Sequence, residues 1–340
     1  MQDERLTSLR RWLEQELGIR GYEIAPASGD ASFRRYFRVT QAAGSHVVMD
    51  APPEREDIAP YLRVAGQLGA LGLNVPAVIA REEAQGFLLL SDLGGRTYLD
   101  AITGGADADS LYADALDALA RMQSMDAAAA GSLPPYDAAL LEREMALFRD
   151  WLCGRHLGLT LDGPQVTELD RTFAFLTDAA LAQPRVFVHR DYHSRNLMLT
   201  AENNPGILDF QDAVYGPVTY DLVSLLRDCY VAWPLARVRE WALGYLEQAA
   251  RGGIAVGRDA TEFLRWFDLM GVQRHLKAAG IFARLNHRDG KPGYLADVPR
   301  TLGYVVAVAA DYPELDFLGE LVASRVLPAL KPIDAAACGQ

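Results

Sequence analysis

Residues 186–210 read VFVHRDYHSRNLMLTAENNPGILDF, and this stretch decides the fold. Two apolar runs, VFVH and GIL, predict strands, and the turn residues of AENNPG predict the reversal that brings the strands together. Asp191 and Asn196 follow the first run, and Asp209 follows the second. Because the turn brings the strands together, we expect these three polar side chains to converge on one site.

The three residue types suit phosphoryl transfer. This reaction needs an acceptor oxygen held in line with the phosphate, a proton acceptor beside it, and magnesium to neutralise the phosphates. We predict Asp191 as catalytic base and Asn196 as a second catalytic residue, while Asn196 and Asp209 supply the oxygen ligands that Mg2+ prefers. Asp and Asn also cap turns in general. Two spaced motifs behind separate strands make that explanation the weaker one.

HRD with Asn five residues after the Asp, followed by DF, resembles the catalytic-loop and metal-binding motifs of the protein-kinase-like superfamily. The loop also contains a histidine, His193, and in this it resembles the aminoglycoside phosphotransferase branch, whose members phosphorylate small molecules. The resemblance implies ATP as donor and an α+β, bilobal protein-kinase-like fold, with a small β-rich N-lobe and a larger, mostly helical C-lobe. It also implies that His189 and Asp221 support the catalytic loop; a plain helix N-cap is the alternative for Asp221, and both roles are compatible.

Hydrophobic periodicity divides the chain in the same way. A leading amphipathic helix precedes strands in YEIAPAS, SFRRYFRVT, SHVVMDAP, VPAVIARE and GFLLLSDL, with one helix near 56–71 among them. Beyond Gly94 the pattern becomes helical, near 110–125, 137–152, 165–181, 219–231, 235–250, 259–284 and 313–326. We therefore predict a nucleotide-binding N-lobe over 1–93 and a C-lobe over 94–335 that carries the catalytic loop, the metal site and the acceptor site.

Nucleotide contacts are expected from a hairpin and from a hinge. The turn before SFRRYFRVT offers backbone N–H groups to phosphate oxygens, and FLLLSDLG offers backbone groups to adenine. The predicted contacts are Ser28, Gly29 and Ser32 in the turn, and Leu90, Ser91 and Asp92 in the hinge. An ordinary hairpin turn and a buried strand are the alternatives.

A lysine is missing where the resemblance implies one. The strand SHVVM runs into Asp50, and the first lysine of the chain is Lys277. We predict that arginine holds the phosphates instead, because alternation along a strand puts Arg34 and Arg38 on one face, with Arg35 solvated on the other. Alternatively, Asp50 has another role and magnesium carries the charge, or the chain is a pseudokinase that only binds nucleotide.

The stretches VVMDAPPERED, LLLSDLG, HRDYHSRNLM and ILDFQDAVYGPVTYDLVSLLRD resemble the bacterial amino-sugar kinases of cell-wall recycling. This resemblance implies phosphorylation of the anomeric hydroxyl of N-acetylmuramate and N-acetylglucosamine. The predicted acceptor contacts are Asp191, His193, Arg195, Asp212 and Tyr215, with Arg195 meeting the lactyl carboxylate of muramate. A cationic segment that includes Lys277 reads as a solvated face. The motifs by themselves leave aminoglycosides, choline and homoserine open as acceptors.

The composition of the chain disfavours several classes of binding partner and of structural site. The chain has 340 residues and a formal net charge of -12, so nucleic acid and anionic membranes are disfavoured. Its three cysteines lie far apart without a CxxC, which argues against a disulfide framework or structural zinc. The charged, amphipathic start resembles neither a signal peptide nor a membrane span. We expect a cytoplasmic, monomeric protein.

Overall fold

The structure is a computed structural model that describes residues 3–28 and 33–330, without the side chain of Ser28. The strands are β1 (Glu23–Ser28), β2 (Arg35–Gln41), β3 (Gly44–Asp50), β4 (Val78–Glu82), β5 (Phe87–Ser91), β6 (Arg185–Val188), β7 (Leu197–Met198), β8 (Gly206–Ile207) and β9 (Val214–Pro217). The α-helices are α1 (Glu4–Arg11), α2 (Ala59–Ala70), α3 (Tyr98–Thr103), α4 (Ala108–Gln123), α5 (Ala127–Ala130), α6 (Ala138–Leu147), α7 (Gly163–Leu181), α8 (Tyr220–Leu226), α9 (Leu235–Arg251), α10 (Ala260–Asp289), α11 (Val298–Ala309), α12 (Asp316–Leu321) and α13 (Leu327–Ala329).

Two compact units make up the chain. The first unit consists of the residues up to Arg96 together with Met198–Asp212, and the second consists of Thr97–Leu197 and the residues from Ala213 onward. The segment 198–212, which the sequence assigned to the C-lobe, has its contacts in the first unit. The assignment of nucleotide binding to 1–93 and acceptor binding to 94–335 stays a prediction.

The first unit is built on an antiparallel five-stranded sheet in the order β1-β2-β3-β5-β4. The five strands, and the hairpin between β2 and β3, are those that the alternating apolar pattern predicts. Leu9 of α1 packs on one sheet face together with Trp12 and Leu13 of the π-helical segment Trp12–Glu16 that continues α1, and these side chains cover Val39 and Val48. Side chains alternate along a strand, so Arg35 and Asp50 belong to this helix-covered face, while their neighbours belong to the opposite face.

The second unit is organised around α10, a helix of 30 residues that is buried along most of its length. Asp259 caps its start, and Gly290 ends it in the left-handed conformation with a φ of 66°. A Cβ at Gly280 would lie 2.3 Å from the carbonyl carbon of Leu147, so glycine permits the close approach of α10 to α6. Helices α6, α7, α8 and α11 all contact α10. None of the described helices is long and apolar enough to cross a membrane.

Strand β9 and helix α11 are among the elements of the second unit that were not predicted. Strand β9 pairs with β6 in antiparallel register, from Arg185 opposite Pro217 to Val188 opposite Val214. Helix α11 reads VPRTLGYVVAVA, and its valines are weak helix formers. Packing of Leu302 and Val305 into the α10 core stabilises this helix, which is information that local propensity does not contain.

Candidate active site

The catalytic loop follows β6 and is fixed by a buried carboxylate. Asp221, in the first turn of α8, accepts hydrogen bonds from the backbone N–H groups of His189 (2.6 Å) and Arg190 (3.0 Å). Burial raises the pKa of Asp221 to about 7, and the two amide bonds oppose that shift. The side chain therefore holds the backbone that leads into Asp191.

Arg190 is the most constrained residue of the loop. Its φ of 77° lies in the left-handed region, which a residue with a Cβ rarely adopts. Its guanidinium forms an ion pair with Glu144 of α6, a side chain only 5% exposed. Glu144 also accepts a hydrogen bond from the hydroxyl of Tyr136. A strained backbone persists where its surroundings over-determine it, and this buried ion pair supplies that restraint.

A second cation, Lys277 of α10, completes this cluster. Its Nζ lies 3.2 Å from Oε1 of Glu144 and donates to the hydroxyl of Tyr220 at 2.8 Å. The expectation that Lys277 lies on a solvated face is wrong, because its side chain is 8% exposed. The apolar sequence around it, LKAAGIFA, was the signal for burial. Glu144 carried no such signal, because its segment reads as an ordinary amphipathic helix.

Asp191 is ionised at neutral pH. Burial alone would raise the pKa of its carboxyl, but the charges of Lys277, His193 and Arg190 hold that pKa below the usual value. The side-chain amide of Asn196 donates from Nδ2 to the backbone carbonyl of Asp191 at 3.0 Å. This bond fixes the orientation of the amide. The loop thus presents an ionised carboxylate beside an oriented amide oxygen.

Asp228 restrains the other end of the loop, and sequence reasoning missed it. Its carboxylate accepts from the backbone N–H of Ser194 (2.9 Å) and of Tyr230 (3.0 Å). The ring of His193 meets Tyr230 edge-on, with 5.3 Å between centroids. The buried Nδ1 of His193 has no hydrogen-bond partner among the described residues.

Arg195 is exposed, but aromatic rings hold its guanidinium. The group lies 4.3 Å from the ring centroid of Tyr230 and 5.4 Å from that of Tyr294. Tyr215, the remaining predicted acceptor contact of this unit, lies in β9, with the guanidinium of Arg185 5.5 Å from its ring. The catalytic loop contains four of the predicted site residues, namely Asp191, His193, Arg195 and Asn196.

The predicted metal motif lies in the first unit. Asp209 has a φ of 63°, and its Oδ1 accepts from the amide of Gln211 at 2.8 Å. The next residue, Phe210, packs on Tyr61 of α2, with 4.9 Å between ring centroids. No group of three or more His, Cys, Asp or Glu side chains that suits a metal ion occurs in the part of the chain that the structure describes. The side-chain oxygens of Asn196 and of Asp209 are each of the hard type that magnesium prefers, and their role as its ligands stays a prediction.

Arg34 lies beside this motif. Its side chain is 10% exposed, and its NH2 group is 3.8 Å from Oδ2 of Asp212. Burial raises the pKa of Tyr61, and the charge of Arg34 lowers it while that of Asp209 raises it. Because the charges of Arg34 and Asp209 both act on the Tyr61 hydroxyl, the Arg34 guanidinium lies in the surroundings of Asp209, the predicted metal ligand.

The other two hairpin arginines have structural partners. The Arg35 side chain is 37% exposed, as its predicted solvated position requires, but it also has a partner that was not predicted: its Nε donates to Asp50 at 3.0 Å, and Arg5 of α1 donates to the same carboxylate at 2.8 Å. Asp50 is thus neutralised by two arginines on the helix-covered face, where it attaches α1 to the sheet. Arg38 forms an ion pair with Asp92 (2.6 Å) and donates to the carbonyl of Gly94 at 2.7 Å.

The remaining predicted nucleotide residues are distributed along two segments. Leu90 is buried in β5, and the Ser91 hydroxyl accepts from the N–H of Ala77 at 2.9 Å. Ser28 ends β1, and its side chain is not described. Gly29 and Ser32 lie outside the described residues. Their predicted phosphate contacts stay predictions.

Comparison with known proteins identifies the class. Residues 23–267 match the phosphotransferase enzyme family, and the chain belongs to this family. It is 54% identical over 302 residues to the N-acetylmuramate/N-acetylglucosamine kinase of Pseudomonas aeruginosa. The aligned residues cover 89% of this chain and 88% of that protein. It is 50% identical over 331 residues to the protein of the same name in Pseudomonas putida, covering 94% of this chain and 96% of that protein.

Solved structures agree on the fold. An ADP-bound aminoglycoside phosphotransferase, APH(2'')-Ib, superposes with a TM-score of 0.57 at 16% identity, over 89% of this chain and 98% of that structure. A Plasmodium vivax ethanolamine kinase superposes with a TM-score of 0.63 at 9% identity, over 91% of this chain and 90% of that structure. The predicted α+β kinase-like fold is confirmed, and the chain is a phosphotransferase.

Proposed function

We propose that this protein transfers the γ-phosphoryl group of ATP to the anomeric hydroxyl of N-acetylmuramate and of N-acetylglucosamine, as a step in cell-wall recycling. One observation carries the proposal: Asp191 lies in a loop that Asp221 and Asp228 restrain at both ends, beside cations that lower the pKa of its carboxyl. The acceptor comes from the relatives, since proteins at 43–54% identity carry the name of a kinase of these two sugars.

Asp191 acts on the acceptor hydroxyl. The bond between the sugar O1 and the γ-phosphorus forms as the bond to the β,γ-bridging oxygen breaks, and ADP leaves. Asp191 orients the hydroxyl and receives its proton late in transfer, which an anomeric hydroxyl permits because it is more acidic than an ordinary alcohol. His193, whose buried Nδ1 lacks a partner among the described residues, hydrogen-bonds the sugar, as do Asp212 and Tyr215.

Asn196 and Asp209 hold magnesium, which neutralises phosphate charge when bound. Arg34 is the cation for the nucleotide phosphates, because its guanidinium lies beside Asp212 of the predicted metal motif, whereas Arg35 and Arg38 are bound to Asp50 and Asp92. Backbone N–H groups of Ser28, Gly29 and Ser32 contact the phosphates. Leu90, Ser91 and Asp92 contact adenine. The proposed enzyme is cytoplasmic and monomeric.

An acceptor panel tests the proposal. The purified protein is incubated with ATP and magnesium and with each of the two amino sugars, an aminoglycoside, choline or homoserine, and ADP release is measured. The matched control is 1,5-anhydro-N-acetylglucosaminitol, which lacks only the anomeric hydroxyl. We expect turnover with the two amino sugars and none with the anhydro sugar.

Three other outcomes separate the alternatives. Turnover of the anhydro sugar would mean that a hydroxyl other than the anomeric one is phosphorylated. Turnover of choline, homoserine or the aminoglycoside alone would replace the acceptor. Nucleotide binding without turnover of any acceptor would make the chain a pseudokinase.

A further inference from the structure

Arg195 is a held cation without a carboxylate partner. Its guanidinium rests on Tyr230 and Tyr294, at 4.3 and 5.4 Å from the ring centroids, and it forms no ion pair within the described residues. Asp297, whose charge acts on Arg195, is itself paired with Arg300 at 2.8 Å. The rings, together with a side-chain hydrogen bond to Tyr230, limit the rotamers of Arg195, and because a guanidinium carries five N–H donors, others are left to receive an anion.

The rings under Arg195 are themselves supported. Tyr294 stacks on Phe282 of α10 with 5.6 Å between centroids, and Tyr230 contacts the same ring at 6.2 Å. The backbone N–H of Tyr230 is bound to Asp228, the residue that also restrains the catalytic loop. The cation is therefore fixed relative to Asp191 through Asp228, which is the kind of preorganisation that a specificity contact needs.

The two proposed acceptors differ by one group. N-acetylmuramate is N-acetylglucosamine with a lactyl ether, and that ether carries a carboxylate. We infer that Arg195 recognises this carboxylate and so acts as a specificity-determining residue for N-acetylmuramate. The inference rests on the proposed function, because it requires that both sugars are acceptors. Guanidinium and carboxylate match as a planar, two-bond pair, which an ammonium group cannot reproduce.

N-acetylglucosamine serves as an internal control for the test. In Arg195→Met, we expect kcat/KM for N-acetylmuramate to fall by about 10- to 100-fold, as for the loss of a charge-assisted hydrogen-bonded pair. The value for N-acetylglucosamine should change by less than about threefold. Arg195→Lys should give an intermediate loss. Arg155→Met removes another exposed arginine from an aromatic ring, that of Trp151 at 4.9 Å, and should affect neither sugar.

The substrate can be changed in place of the protein. The lactyl methyl ester of N-acetylmuramate removes the negative charge, so the wild-type protein should lose about as much kcat/KM with the ester as Arg195→Met loses with the acid. The ester should lose nothing further in Arg195→Met, because the contact is already absent.

The outcomes separate this inference from the function on which it rests. Equal losses for both sugars, or no loss for either, would overturn the role of Arg195 while leaving the amino-sugar kinase intact. A wild-type protein that phosphorylates N-acetylglucosamine but not N-acetylmuramate would also overturn it. Turnover of neither sugar by the wild-type protein would remove the proposed function itself.

Discussion

Replacing Lys277 with methionine probes the buried cluster behind the catalytic loop. The change keeps the length of the side chain and removes a charge that lies 3.2 Å from Glu144 and is bonded to Tyr220 at 2.8 Å. Breaking a buried ion pair costs about 3–5 kcal/mol when the remaining charge is left unpaired. Glu144 keeps Arg190 as its partner, so we expect a loss of about 2 kcal/mol in unfolding free energy.

Catalysis should suffer separately from stability. Lys277 is the foremost cation that holds the pKa of Asp191 down, and one pKa unit corresponds to about 1.4 kcal/mol. We expect kcat to fall by about tenfold while the KM for ATP stays within about threefold. The assay is steady-state kinetics at a temperature where circular dichroism shows the variant folded, together with denaturant unfolding of wild type and variant.

The pH dependence of the stability loss has a defined sign. The pKa of Lys277 is raised by Glu144, so its contribution is fully present below its unfolded pKa and is lost as pH rises through the folded value. The pKa of Glu144 is lowered, so its contribution is lost only as pH falls through that lower value. The difference between wild type and Lys277→Met should therefore be constant between roughly pH 6 and 9.

Two further variants decide whether charge is the cause. Lys277→Arg keeps the cation and should recover most of kcat. In a Glu144→Gln background, Lys277→Met should cost less than it does alone, by about 1 kcal/mol or more, because the two residues are in contact. A folded Lys277→Met with the kcat and stability of wild type would refute the reasoning, as would a Lys277→Arg variant that is equally impaired.

Three predictions concern the site itself. Asp191→Asn should keep nucleotide binding, measured by calorimetry, and lower kcat by about a hundredfold or more, since it removes the proton acceptor; near-native kcat would remove Asp191 from that role. Asp209→Ala should reduce activity more than Asn196→Ala, because a carboxylate neutralises magnesium charge and an amide does not; a magnesium titration of each variant measures this, and the reverse order would contradict the ligand assignment. Arg34→Ala should raise the KM for ATP by more than threefold while Arg38→Ala, whose partner is the hinge carboxylate, changes it less; a change of less than about threefold in KM and kcat for both variants would leave the phosphates to magnesium and backbone amides.

Local sequence was sufficient for the elements and motifs that depend on it. The alternating strands of the sheet, the HRD loop and the DF motif each occupy one short segment, so their periodicity and spacing could be predicted. The cluster of Glu144, Arg190 and Lys277 could not, because it joins α6, the catalytic loop and α10. Nothing in any one of these segments indicates its partners.

The face of a strand shows the same limit. Alternation predicted that Arg35 points away from the face of its neighbours, and this is so. Alternation did not predict that Arg35 would meet Asp50 and Arg5 on that face, because Arg5 belongs to the leading helix, which is distant in sequence. The apparent substitution of Asp50 for a lysine is thus explained by the packing of α1 on the sheet.

The position of the phosphate on the product tests the central claim most directly. Purified product from N-acetylglucosamine and ATP is examined by two-dimensional 1H–31P correlation NMR. We expect the phosphorus to couple to the anomeric proton, with no product above background from Asp191→Asn under the same conditions. Coupling to any other sugar proton, or an equal yield from Asp191→Asn, would contradict the account.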